Sequence, residues 1–124
     1  QLSLDSAEYF VLRADKQIIG YFILQSHMSE HEAERYAQQG VILQSNDDLL
    51  FAPCIADQYQ DKGLASLVMA ILIEHYKNKV RSFVLMGGTQ ETNSRGRRFY
   101  KKFGFKEYGG FQTEIYNIDM RLEF

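Results

Sequence analysis

The chain has 124 residues and a formal net charge of -2 at pH 7, which suffices for one core and a single domain (1–124) and not for two. Its content of 45% hydrophobic and 24% charged residues is ordinary for a globular protein, and one proline with nine glycines argues against a disordered or fibrous chain. The slightly acidic balance argues against nucleic acid as the main partner, because neutralising phosphates needs a basic face.

The single cysteine, Cys54, excludes an internal disulfide framework and fits a reducing, cytoplasmic compartment. No stretch approaches the roughly 20 apolar residues that span a bilayer, so no membrane partner is expected. No charged-then-apolar leader opens the chain, and Gln1 in place of methionine fits a processed or trimmed start, or a piece of a longer polypeptide.

In chain order, "EYFVLRA" (8–14) and the stretch 17–26 read as two strands, rich in β-branched and aromatic residues, with a turn at 14–16. "SEHEAERYAQQG" (29–40) reads as a short helix, with Ser29 and Glu32 as a capping box and Gly40 as its stop. "LLFAPCIA" (49–56) is a third strand, and Pro53 predicts an interrupted ladder. Residues 62–79 form the clearest helix, and its wide apolar face predicts burial on more than one side. A short apolar strand (81–87), a helix basic on its exposed side (93–103) and two further strands follow. In the last strand, Tyr116, Ile118, Met120, Leu122 and Phe124 share one face and Asn117, Asp119, Arg121 and Glu123 the other, which predicts a half-buried antiparallel strand. The order β-β-α-β-α-β-α-β-β implies an α/β (α+β) fold. Its sheet is mixed, with a parallel pair in the middle, antiparallel flanks and helices on its faces.

Two segments carry chemistry. In "IADQYQDKGLAS" a strand ends near Ala56 and a long helix begins near Lys62. The unpartnered N–H groups of the first helical turn and the helix dipole make an anion site, Gly63 lets a ligand approach the backbone, and Lys62 adds charge. Alone, the stretch reads equally as a strand-to-helix turn without a ligand. In "NSRGRRFYKKFGF" (93–105), Asn93 stands at a helix start and Gly96 sits inside the helix, where it costs roughly 1 kcal/mol against alanine and so implies close packing or a ligand. Tyr100 carries a phenol able to donate a proton, or is an ordinary packing tyrosine.

Together the segments are more specific. Gln60 to Ala65 resembles the Q/R-x-x-G-x-G/A motif of the GNAT superfamily of acyl-coenzyme A-dependent N-acetyltransferases, with Ala65 in the place of the second glycine. "NSRGRRFYKKFGF" resembles that family's N-x-x-A/G-x-x-F-Y-x-x-x-G-F signature, and the separation of the two matches as well. The resemblance implies a central splayed parallel pair and acetyl-coenzyme A as cofactor. Its pyrophosphate would lie on the backbone N–H groups of Asp61, Lys62, Gly63, Leu64, Ala65 and Ser66, with Gln60 opening the cofactor-binding loop. Ile55 would lend backbone groups to the pantetheine arm, Asn93 would hydrogen-bond that arm, and Tyr100 would protonate the departing thiolate. The implied reaction is direct attack on the thioester by an amine of a small molecule or peptide. A non-catalytic acyl-coenzyme A sensor is the alternative, and one domain of a larger enzyme a third.

The chain departs from the family by opening with what look like the family's second and third strands. The 29–47 segment either rebuilds part of the acceptor wall or is a surface insertion. His27, Glu30, His31, Asp47, Asp48 and Asp57 are unranked candidates for a general base. His27 and His31 stand four apart without HExxH or a third ligand, so no metal is expected. His75 reads as a packing or capping histidine, and Cys54 as a small hydrophobe rather than a nucleophile. The cluster Arg95, Arg97, Arg98, Lys101 and Lys102 is a solvated face, a steering patch, or a holder of the coenzyme's 3′-phosphate. Oligomeric state, a homodimer included, stays open.

Overall fold

The computed structural model describes residues 7–14, 17–55 and 63–124. The elements are β1 (Ala7–Ala14), β2 (Gln17–Gln25), α1 (Glu30–Gln38), β3 (Asp48–Ile55), α2 (Leu64–Tyr76), β4 (Ser82–Leu85), β5 (Thr89–Gln90), α3 (Ser94–Lys102), β6 (Lys106–Gln112) and β7 (Tyr116–Glu123). The seven strands join one mixed sheet. β3 and β4 are parallel and every other pair is antiparallel, the architecture expected from the order of elements.

The strand expected over 81–87 is shorter than that. β4 pairs with β7 through Val84 and Arg121, and β5 resumes the same line through Thr89 and Ile118. The break is a tight turn closed by the Gly88 N–H donating to the Leu85 carbonyl at 3.1 Å. Gly87 and Gly88 take φ of +72° and +67°, and a Cβ on Gly88 would lie 2.6 Å from the Ile118 carbonyl oxygen. A two-residue β5 is too short for any sequence period to announce.

The parallel ladder runs from Asp48 and Ser82 to Phe51 and Leu85 and goes no further. Its last rung is the Met86 N–H donating to the Phe51 carbonyl at 2.8 Å. In a parallel ladder the Met86 carbonyl would next receive the N–H of residue 53, and Pro53 has none. Pro53 stays in register with Phe22 on the β2 side. The predicted interruption is therefore one-sided: β3 keeps β2 and loses β4, and the central pair opens beyond Phe51.

Side-chain alternation sends Leu49, Phe51, Phe83 and Leu85 to one face, where Met69, Leu72 and Tyr76 of α2 and Phe105 complete the main core. Leu50 and Val84 point to the other face and meet Met28, Tyr36 and Leu43 from α1 and its flanks. The 29–47 segment is thus a second layer over the sheet. Among the described residues no helix is long and apolar enough to cross a membrane.

Two burial expectations are corrected. α2 is buried on one stripe only: Leu67 is 58% and Ile71 57% exposed. An unbroken apolar run marks no face by itself, so only contact with the sheet selects the inner stripe. β7 is buried on both faces, because α1 covers the side whose polar residues predicted water. Asp119 and Arg121 are 2% and 4% exposed, and both are paired. Arg35 of α1 grips Asp119 with its Nε and Nη2 at 3.0 Å each. Arg121 donates to Ser82 Oγ at 3.0 Å and to Asp48 Oδ1 at 3.2 Å.

Candidate active site

The groove that gathers Gly63, Ala65, Ser66, Asn93 and Tyr100 of the expected site residues lies between the first turn of α2 and the length of α3, with Pro53 at its floor, and encloses about 610 Å³. That volume falls in the range of small-molecule sites, roughly 300–1,000 Å³. Gly63 is the N-cap of α2 and offers no side chain to cap it, so the first-turn N–H groups around Leu64, Ala65 and Ser66 stay available to an anion. Gly63, Ala65 and Ser66 line the groove. Gln60, Asp61 and Lys62 lie outside the described residues. So do Asp57 and the Cys54 and Ile55 side chains. The Ile55 backbone belongs to β3 beyond the last rung to β4.

Asn93 caps α3, its Oδ1 accepting from the Gly96 N–H at 3.0 Å and its Nδ2 donating to Thr89 Oγ1 at 3.4 Å. This cap explains the glycine inside the helix: a Cβ at position 96 would fall 2.4 Å from Asn93 Nδ2. One Nδ2 proton and an Oδ1 lone pair remain for a ligand.

Tyr100 sits on the groove wall with its ring edge-on to Phe99 and Phe105, at centroid distances of 5.3 and 5.4 Å. Burial pushes its phenol up to about 12, so it holds its proton at neutral pH. Among the described residues nothing hydrogen-bonds its hydroxyl. The Gly104-Phe105 pair that follows closes α3. Gly104 takes φ +102° and donates to the Lys101 carbonyl at 3.0 Å, and Phe105 donates to the Tyr100 carbonyl at 3.1 Å. The turn returns Phe105 onto the ring of Tyr100. Gly104→Ala is expected to cost about 1–2 kcal/mol, because a side chain opposes that backbone conformation, and thermal melting checks it.

The basic cluster on α3 divides. Arg97 pairs with Glu107 of β6 at 2.8 and 3.2 Å and donates to the Glu91 carbonyl, and Lys101 stands 3.4 Å from Glu107. Arg95, Arg98 and Lys102 face the groove instead, and Lys102 donates to Ser66 Oγ at 3.2 Å across it. A rim of uncapped amides and cations with an un-ionised phenol further along fits an elongated, phosphorylated thioester carrier.

The base candidates scatter. His27, Glu30, His31 and Asp47 are exposed. Asp48 is fully buried among arginines, which removes it from that role. Among the described residues no group of three or more potential metal ligands occurs. His75 is exposed on the surface of α2, its ring edge-on to Tyr76. Glu32, read in the sequence as a cap partner and not as a site residue, accepts from the Gly87 N–H at 3.0 Å beside the open central pair.

A family model described as an acetyltransferase (GNAT) domain matches residues 5–107. No curated protein matches the chain. Among solved structures, the ribosomal-protein-alanine N-acetyltransferase of Brucella melitensis is similar at 16% identity and a TM-score of 0.72, over 98% of this chain and 71% of that one. The ribosomal-protein-S18-alanine N-acetyltransferase of Escherichia coli is similar at 19% identity and a TM-score of 0.69, over 96% and 70%. The PaiA N-acetyltransferase of Thermoplasma acidophilum, in complex with coenzyme A, is similar at 17% identity and a TM-score of 0.66, over 96% and 62%. At these identities the likeness is one of fold, and the chain spans only 62% to 71% of their lengths. The family match itself takes in β1 through α3, the groove and its tyrosine included, and on that ground the chain belongs to the GNAT acetyltransferase family.

Proposed function

We propose that the chain, as a single domain, is an N-acetyltransferase that passes the acetyl group of acetyl-coenzyme A directly to a primary amine of a small molecule or peptide. The observation that carries this reading is the protonated Tyr100 phenol, set in the groove whose opposite wall is the uncapped start of α2. Acetyl-coenzyme A supplies the thioester: the amine nitrogen bonds to the acyl carbon, the carbon–sulfur bond breaks, and sulfur leaves with the electron pair.

The backbone N–H groups from Asp61 to Ser66 hold the pyrophosphate at the positive end of α2. Backbone groups alternate along a strand, so Ile55 faces the same side as Phe51, toward the gap left by β4, and offers its N–H and C=O to the pantetheine amides. Asn93 adds its remaining hydrogen-bonding capacity. Tyr100 gives its proton to the leaving sulfur and recovers one from solvent, while the surplus proton of the amine passes to water. The products are an amide and a free thiol.

Calorimetric titration with acetyl-coenzyme A is expected to show one site, and an amine panel of polyamines, amino acids and peptides is expected to release thiol. Absence of binding would sink the reading. The alternative, an acyl-coenzyme A sensor, predicts binding without thiol release from any amine.

A further inference from the structure

The central pair opens where two backbone groups change partner. The Met86 N–H still reaches β3, at the Phe51 carbonyl; the next amide, Gly87 N–H, turns instead to Glu32 Oε2 at 3.0 Å. Gly87 is exposed, so water is available to its N–H, and what the carboxylate changes is the direction in which that amide points. The Glu32 side chain is 10% exposed. Its other partners are the Ser29 hydroxyl, which donates to Oε1, and Arg35 Nη2 at 3.2 Å. Arg35 is anchored in turn on Asp119 of β7 and lies 3.9 Å over the Phe111 ring. A segment inserted between two strands is thereby tied to the turn between β4 and β5, where the central pair opens.

We infer that Glu32 is a positioning residue for acyl transfer: by holding the Gly87 N–H on the α1 side of the sheet, it fixes the turn that leads the chain out of β4 and away from β3, and so sets the gap in which the thioester reacts. The inference rests on the acetyltransferase reading above. Glu32 does not itself take the proton of the amine. Burial pushes its carboxyl up, but hydrogen bonds from Ser29, the Gly87 amide and Arg35 outweigh that and hold it below the usual carboxylate range. Three donors, from Ser29, Gly87 and Arg35, already occupy most of its roughly four acceptor sites.

Hydrogen exchange on the unmodified chain tests the tie: the Gly87 amide is expected to be protected despite its exposure, and exchange at the unprotected rate overturns the inference. Glu32→Ala is then expected to lower thiol release about 10- to 100-fold, the scale on which misplacement of about 1 Å acts, with acetyl-coenzyme A affinity within about threefold. Glu32→Gln, which keeps an oxygen for Gly87, is expected to restore most of the rate. Unchanged turnover in Glu32→Ala overturns the role. So does a loss of affinity equal to the loss of turnover, with no recovery in the glutamine variant, because that is the mark of general unfolding. A wild-type chain that releases no thiol with any amine overturns the acetyltransferase reading and the role with it, whereas a role that fails alone leaves wild-type turnover intact.

Discussion

Replacing Asp48 with alanine is expected to destabilise the chain by about 3–5 kcal/mol, the usual effect of breaking a buried ion pair from one side. The carboxylate is fully buried and accepts from Arg81 Nη2 at 2.5 Å, Arg121 Nη2 at 3.2 Å, the Gln44 N–H at 2.9 Å and the Ser82 hydroxyl. Arg81 is half exposed and recovers water when Asp48 is lost, but the Arg121 side chain is 5% exposed and does not. The loss is therefore the cost of a buried guanidinium beneath α1 left, among the described residues, with only Glu123, at 3.4 Å, and the Ser82 hydroxyl. Against the 5–15 kcal/mol that holds a typical domain together, such a change is severe. It is read as a lower urea midpoint with an unchanged slope. Burial pushes the Asp48 carboxyl up, and its donors outweigh burial and bring it below its ordinary value. Its folded pKa thus lies below its unfolded one. The stability it contributes is present above about pH 4 and is lost as the pH falls through the lower, folded value. Asp48→Asn is expected to flatten that part of the acid limb; an unaltered limb would show that the charge does not matter.

Tyr100→Phe is expected to reduce turnover about a hundredfold or more, the usual contribution of a general acid, while acetyl-coenzyme A affinity stays within about threefold. The ring contacts with Phe99 and Phe105 do not involve the hydroxyl, so the variant keeps its packing. In the wild type, a phenol pushed up to about 12 stays protonated through the range where amines lose their protons. The rate should rise with pH as the amine becomes neutral and fall only near the phenol's own titration. Equal losses of turnover and affinity in Tyr100→Phe would mark Tyr100 as a structural tyrosine.

Much of this was legible in the sequence, for identifiable reasons. Strand and helix periods gave the order of elements, and Pro53 announced an interrupted ladder because a missing N–H is a local property, although only the structure shows that the break is one-sided. The α3 motif was readable because each part of it acts within a few residues: Asn93 caps Gly96, and Gly104 returns Phe105 onto Tyr100. Long-range partners were not readable. The alternation of β7 predicts a wet face unless a helix from far away in the chain arrives to cover it, and Arg35 reaches Asp119 across 84 residues. Asp48 looked like a candidate base because nothing near it in sequence shows that Arg121 lies against it. Glu32 carried a local signal, the Ser29 spacing, that pointed to helix capping and hid its contact with Gly87.

The second layer has a further consequence for how the sheet tolerates change. Gln25 of β2 pairs with Leu50 of β3, so the whole of 26–47 occupies the place of a hairpin turn, with its ends clasped by the Asn46 N–H on the Ser26 carbonyl at 2.8 Å. The entropy of closing such a connection grows only with the logarithm of its length, roughly 0.6 kcal/mol per doubling, so a long connection and a short one can hold the same register. Shortening it to a tight turn would leave β2 and β3 paired as they are. It would also lay Leu50, Val84 and the Asp119 carboxylate open to water, and a connection in name would prove to have been the cover of the molecule's second core.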